Sequence, residues 1–519
     1  MTLQRSLLAV AALGATLGTA VTLATAPVQA KRAATGTWTK LTNQAPDNTG
    51  TMMLLTDGTV MVQGYDPLNR WMKLTPDNTG SYVNGTWSNL ASMSRQRLYT
   101  ASHVLPTGNA WILGGEYSGT PLQANWTNTG ETYDTLHNTW APIAHHPDPQ
   151  FGDDPSMLLD GGRILAGSIG TRNTFIYDIA TNVWSGPIPK FYNDRSDEET
   201  WAKTGEGKVL TYDLFRSIAT GGAYAELFDP RTSSWSPISP SDGTASGSIP
   251  QLSSPAVGFE LGPILRLQDG RMFVIGATEH TAFYTASTNT WTPGPDIIGT
   301  RNGSPAFFGA DDAPGAVLPN GHVIFAADSG PTGLFGPPTH LFDFDPDTST
   351  IGPMDAPFPA QADLDSVPAF VTRMLVLPTG ELLFSDSDTQ LWVYTPAGTA
   401  PNKLRPRIEG VSYDGGGVFT LSGQQLNGQS AGSSYGDDAE SDENYPVVWL
   451  TGQDGKVAFG RTTSWTTTDV ATGVAKQSVK FTLPAGQTPG VYKITVSGAG
   501  IMSVNSIARN IKAAEIAGQ

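Results

Sequence analysis

Arg97-Leu-Tyr-Thr-Ala-Ser-His-Val-Leu-Pro-Thr-Gly108, then an apolar run at 110–114, then Tyr133 and Trp140, is one copy of a unit that recurs along the chain. Each copy has an apolar strand, a tight turn ending in Gly, a second apolar strand, and later an aromatic residue and a Trp. The turn glycines are Gly58, Gly108, Gly162, Gly207, Gly270, Gly321 and Gly380, spaced by 50, 54, 45, 63, 51 and 59 residues. Turns such as Thr-Asp-Gly, Pro-Thr-Gly, Gln-Asp-Gly and Pro-Asn-Gly have hairpin chemistry. Tyr133 and Trp140, Tyr177 and Trp184, Phe228 and Trp235, and Tyr284 and Trp291 each stand seven apart, and Phe344 with Ile351 keeps the interval. Four strands in roughly 50 residues, seven times over, predict an all-β fold, a seven-bladed β-propeller.

Closure is readable too. Gly36-Thr-Trp-Thr-Lys-Leu41 reads as a fourth strand with no unit before it, and the seventh unit ends at 392–395 without a Trp strand of its own. The N-terminal strand is therefore expected to complete the seventh blade. After about residue 400 the pattern changes. Runs at 404–412, 418–422, 447–450, 478–483 and 491–496 suit an immunoglobulin-like sandwich. The expected domains are 31–402 and 403–519.

Residues 1–30 read as a secretory signal: Arg5, an apolar stretch from Ser6 to Ala26, and Val28-Gln29-Ala30 as a cleavage site. The competing reading is a single membrane anchor. No later stretch approaches the ~18 apolar residues of a spanning helix. The expectation is a secreted, extracellular protein that works as a monomer. Its 30 Lys+Arg against 47 Asp+Glu give a net charge of −17, which disfavours phosphate-rich partners such as nucleic acid. With no Cys, disulfides, thiolate metal sites and Cys nucleophiles are excluded. With 13 Trp, 15 Tyr and 20 Phe there is ample material for a core.

The repeat supplies its own alignment. Nine residues before each turn Gly stand Thr49, Tyr99, Asp153, Glu198, Leu261, Asp312 and Val371. These open the innermost strands, where seven strands converge at one mouth of the central channel. Asp197, Glu260 and Asp311 precede members of this set, and Asp154 and Glu199 follow two of them. Two residues further in, six positions are compact and the seventh is Arg373. A looser second register, near the end of the second strand, holds Glu116, Asp213, His280, Asp328 and Asp386. Crowded carboxylates raise some pKa values or demand a cation. Tyr99, Asp153, Glu198, His280, Asp312 and Arg373 are the candidate catalytic or binding set, with paired carboxylates for acid/base work and Arg373 for a substrate carboxylate. Asp153, Glu198, Glu260 and Asp312 are the candidate ligands of Ca²⁺ or another hard cation. The competing reading is that these acids only hold loop amides.

Blade spacing and domain order resemble kelch repeats and, taken together, the galactose oxidase and glyoxal oxidase superfamily, whose C-terminal domain is an immunoglobulin-like (E-set) sandwich. The resemblance implies a mononuclear copper site with a Tyr radical cross-linked to Cys, a Tyr-His pair opening one inner strand, and a His from the C-terminal domain. Tyr99 matches the radical Tyr in register. The cross-link is impossible without Cys, Phe370-Val371-Thr372 stands where Tyr-His-Ser is expected, and 456–467 holds no His. Copper wants imidazole, so the fold is taken from the resemblance and copper is not expected. The expected function is binding of an extracellular glycan or cell-surface ligand at the acidic mouth. The alternative is a non-redox polysaccharide lyase or glycoside hydrolase. The periodic Trp residues read as core, His145-His146 as a surface pair, Asn84, Asn125 and Asn302 as sequons, and Asp437, Asp438, Glu440, Asp442 and Glu443 as a solvated acidic loop.

Overall fold

The computed structural model describes residues 36–328, 335–356, 360–435 and 444–516. The signal-like segment and the acidic loop lie outside these residues. Residues 31–519 form one compact unit. It is all-β, in mostly antiparallel sheets, consistent with a β-propeller.

Among the described residues, seven sheets each hold an antiparallel run of four strands. Six are built from strands in chain order, beginning at Thr49–Leu54, Ala101–Val104, Ser156–Leu159, Ala202–Lys203, Ile264–Arg266 and Pro314–Val317, the second interrupted by the short strands Tyr117–Ser118 and Gln123–Ala124 of a separate sheet. The seventh joins Arg373–Val376, Leu382–Ser385 and Trp392–Pro396 to Gly36–Lys40. The first strands of the first, second and third sheets adjoin in turn, as do those of the fourth to the seventh, and that of the seventh also meets the first.

The seven-residue interval has a direct physical meaning. Tyr133 and Trp140, Tyr177 and Trp184, Phe228 and Trp235, and Tyr284 and Trp291 are directly opposite one another across the third and fourth strands. Trp38 faces Tyr394 in the same way, across the seam between the chain's two ends. The indoles then tie neighbouring sheets together. Trp140 Nε1 donates to Ala91 O at 2.8 Å, Trp184 Nε1 to Ala144 O at 2.9 Å and Trp291 Nε1 to Ile238 O at 2.8 Å. These tryptophans are stitching, not a sugar platform.

The remainder forms strands Arg407–Gly415, Val418–Gln424 and Lys476–Thr482 beside Val447–Thr451, Val457–Thr463 and Gly490–Gly498. This part covers the hairpin-turn end of the ring. Gly58 and Gly108 sit at φ 75° and 80°, and a Cβ there would lie 2.6 Å from the Phe459 ring and the Arg461 guanidinium. Glycine is therefore required twice over, for backbone conformation and for close approach. Arg461 Nη2 donates to Thr107 O at 2.8 Å, and Asp160 accepts from the hydroxyls of Thr467 and Thr468. The opposite end, where the first strands begin, is the mouth.

One residue read as surface is not. His146 is 1% exposed, its ring held by Phe151, Phe175 and Trp184 at 4.8–5.0 Å. Burial drops its pKa from 6.5 to about 3. The fold thus binds fewer protons than the unfolded chain between these values, and stability present at neutral pH is lost as pH falls through that window. By pH 5 the loss from His146 alone is about 2 kcal/mol. Denaturant titrations at pH 7.5 and pH 5 should show this difference, and His146→Asn should shrink it.

Candidate functional site

The register read from the sequence coincides with backbone strain. Tyr99, Asp153, Glu198 and Asp312 all have left-handed φ, at 55°, 59°, 61° and 49°. For residues other than Gly this costs about 1–2 kcal/mol each. The strain is fixed by contacts between neighbouring sheets. Glu198 N donates to Asp153 O at 2.9 Å, Leu261 N to Glu198 O at 3.4 Å and Asp312 N to Glu260 O at 3.4 Å. The first strands therefore begin as a linked rim, which turns these side chains to the mouth.

The rim is aromatic as well as acidic. The Tyr99 ring lies 6.2 Å from both Tyr117 and Phe370, edge to face. Trp126, itself at φ 41°, donates its indole N–H to Asp153 Oδ2 at 2.7 Å. Tyr99, Tyr117, Trp126, Phe370, Asp153, Asp197, Glu198 and Glu260 are all half-buried, so ligand can reach them. Asp153, Asp197 and Glu198 each bring a carboxylate oxygen within 4.8 Å of the others. Glu260 and Asp312, expected in the same cation set, are not part of that group; Asp312 is buried beside Tyr435.

Burial pushes the Asp153 carboxyl well above its ordinary value, Glu116 and Asp197 add to the rise, and the Trp126 indole opposes it. Burial also raises Asp197, with Arg195 Nε at 2.7 Å pulling back. The Tyr117 hydroxyl is raised by burial and then by Glu116, Asp153 and Glu260.

Other acids read from the registers are structural. Asp311 is buried and accepts Phe259 N and Glu260 N, each at 2.8 Å, with a pKa that burial lifts to about 7. Buried Asp328 accepts Ala369 N at 3.0 Å. Asp213 and Glu199 are ion-paired to Lys190, all three side chains at 0% exposure.

Two candidates do not serve the mouth. His280 pairs through Nδ1 with Asp296 at 2.8 Å and faces Glu279 at 3.8 Å through Nε2, on a part-exposed surface. The loose second register carries it past the rim. Arg373 is 4% exposed, and its guanidinium is not presented to a ligand. Nη1 donates to Phe370 O at 2.6 Å and Thr372 O at 2.8 Å, and Cζ lies 4.0 Å above the Tyr435 ring.

Tyr435 comes from a segment that sequence reasoning missed. Arg266 Nη1 donates to Gln429 O at 2.8 Å, and Val317 N donates to Gly432 O at 3.0 Å. Ser433–Tyr435 then pairs antiparallel with the first strand of the sixth sheet, Pro314 opposite Tyr435. The Tyr435 hydroxyl donates to Phe370 O and lies 3.4 Å from Asp312 Oδ2. The C-terminal part thus reaches the mouth through 429–435, not through the expected 456–467. Gly428, Gly432 and a run of Ser are a weak sequence signal, because they mark a tight passage without marking its destination.

The residues at the expected copper-ligand positions are Tyr99, Phe370 and Val371. The histidines make their contacts elsewhere: His103 bonds Ser156 at 2.8 Å inside the ring, His137 pairs with Asp134, His146 is caged, His322 pairs with Asp343 at 2.7 Å and His340 meets Phe308. His145 is exposed.

No protein-family model matches the chain, and no curated protein matches it. A solved fungal alcohol oxidase of the AA5 family, in complex with copper, is 14% identical, covering 92% of this chain and 100% of its own at a TM-score of 0.49. YjhT is 14% identical over 60% of this chain and 99% of its own, TM-score 0.37. A chain of the mitotic checkpoint complex is 12% identical over 75% and 100%, TM-score 0.41.

Tyr435 is the residue on which this packing turns. Tyr435→Ala should cost about 3–5 kcal/mol, as for other buried aromatics. Tyr435→Phe should cost about 1 kcal/mol for the lost hydrogen bond. Equilibrium denaturation of both variants checks the ranking.

Proposed function

We propose that the chain is a secreted, monomeric protein of the galactose oxidase-like superfamily: a seven-bladed kelch-type propeller over 31–402, an immunoglobulin-like sandwich over 403–519, and export directed by 1–30. It binds an extracellular glycan at the acidic mouth. The observation that carries this reading is the alternation of reachable aromatic rings (Tyr99, Tyr117, Trp126, Phe370) with reachable carboxylates (Asp153, Asp197, Glu198). Sugar C–H faces pack on aromatic rings, while sugar hydroxyls donate to carboxylates. The missing imidazole and thiolate ligands support a non-redox role.

A second reading is hydrolysis or lyase chemistry. It is favoured by Asp153, whose pKa burial raises, standing close to Glu198, since general acid catalysis uses two carboxyls whose environments differ.

A glycan array followed by a reducing-end assay on each hit separates the two. Binding without new reducing ends is the expected result. Trp126→Ala or Tyr99→Ala should weaken binding roughly 10-fold or more, the scale of one lost aromatic contact. New reducing ends that vanish in Asp153→Asn would favour the enzyme. Stoichiometric copper with a radical absorption band in purified protein would overturn the non-redox reading altogether.

A further inference from the structure

We infer that Arg216, on the mouth face beside the rim, binds the carboxylate of an acidic sugar, with Phe191 as the seat for the sugar ring. The sugar rests on the glycan reading above; the acid is read from the arginine.

The guanidinium is the first ground. Its Cζ lies 4.4 Å from the centre of the Tyr192 ring and 4.2 Å from that of Tyr224. Stacking of this kind uses the faces of the guanidinium plane and leaves its N–H edge to other partners. Among the described residues that edge meets no acceptor and no ion pair; only the backbone N of Arg216 is engaged by a side chain, Asp194 Oδ2 at 2.9 Å. Nε alone is closed off from solvent, so the two terminal nitrogens are the reachable donors. Asp242, which shares Tyr192 with the arginine, accepts the Tyr192 hydroxyl and Thr244 N at 3.1 Å instead. Arg97, Arg195 and Arg373, by contrast, each donate from the guanidinium to a protein oxygen.

The surroundings hold this arginine in place. Tyr192 donates its hydroxyl to Ser239 Oγ at 2.8 Å, and Glu226 accepts Phe191 N at 2.6 Å and Tyr192 N at 3.0 Å. Arg216 itself lies in the helix Leu214–Thr220, which starts at Asp213, ion-paired to Lys190 at 2.9 Å. The guanidinium is thus set against its rings before a ligand arrives, and less side-chain entropy is lost on binding.

Phe191 is the second, independent ground. It is 53% exposed, and its ring stands edge to face with Tyr192 at 5.1 Å. Phe191 and Arg216 therefore border the same tyrosine. The C–H face of one sugar can lie on the open ring while its carboxylate reaches the guanidinium. The place adjoins the mouth: the ring of Phe215, next to Arg216 in the chain, lies 3.6 Å from Arg195 Cζ, and Arg195 binds Asp197 of the rim. The carboxylate contact expected of Arg373 from the sequence thus falls to Arg216. Charge limits the number of acids. A net charge of −17 repels a polyanion, whereas one arginine answers one carboxylate. The ligand class is a glycan with an isolated uronic acid among neutral sugars.

The test titrates the full chain by NMR with two matched pairs, methyl glucuronide against methyl glucoside and methyl galacturonide against methyl galactoside, whose members differ only at C6. At least one uronide should bind about 10-fold or more tighter than its neutral partner, the scale of a charge-assisted hydrogen-bond pair. Arg216→Gln should erase that preference, and Arg216→Lys should keep part of it. Phe191→Ala should weaken acid and neutral sugar alike. A second measurement needs no variant: the uronide, and not the glucoside, should protect Arg216 from phenylglyoxal, read by peptide mass mapping, with exposed Arg195 as the unprotected control. Equal binding within both pairs overturns the inference. So does a preference that survives Arg216→Gln, or an Arg216 left unprotected. Glucose 6-sulfate bound in place of both uronides overturns the carboxylate assignment. Neutral glycans that bind through Trp126 and Tyr99 with no uronide preference overturn this site and leave the glycan reading standing. A uronide preference with no array glycan sensitive to Trp126→Ala sustains this site and overturns the reading at the mouth.

Discussion

Everything at the mouth depends on one seam. Gly36–Lys40 pairs with Trp392–Pro396 over five residues, and Trp38 meets both Tyr394 and Phe384. Without that strand the seventh sheet has a bare edge, and the first sheet loses the neighbour that fixes its start. Thr49 shows the link: its hydroxyl bonds Ser385 at 2.6 Å and Asp388 O at 2.9 Å, bringing the first and seventh sheets together at the rim. A ring transmits its closure to every member. At Asp153, Glu198 and Asp312 the strained backbone is held by hydrogen bonds to the sheet beside it.

The acids of the rim divide into two kinds, and burial separates them. Asp311 accepts two backbone amides of a neighbouring loop through Oδ1, and Asp328 accepts Ala369 N through Oδ2. They are the reason the loops keep one shape. Asp153, Asp197 and Glu198 are only half-buried. The first kind is the scaffold for the second, so removing an inner acid would alter the outer set without touching it.

The sequence was most legible where a period forces a geometry. Seven residues between Tyr and Trp is the length of a hairpin that places the two rings opposite each other, so the interval itself announced the third and fourth strands. Counting nine back from the turn Gly was legible for the same reason, since strand length is regular between rim and turn. Legibility failed where the deciding partner is remote in sequence. Tyr435 is placed by Pro314 and Phe370, His146 by Phe151, Phe175 and Trp184, and Lys190 by Glu199 and Asp213. Arg373 looked available because its covering ring arrives from a segment with no period at all. His280 was misplaced because the offset of the second register varies.

The segment at 429–435 has an evolutionary consequence. Two domains that merely abut can be exchanged, duplicated or lost as separate pieces. Here the C-terminal part lends a strand to the sixth sheet and lays a tyrosine over the arginine of the seventh. Residues 31–519 form one compact unit, and the site draws on both ends of it. Residues 373 and 435 are coupled by direct contact, so the rim depends on a segment far from it in sequence.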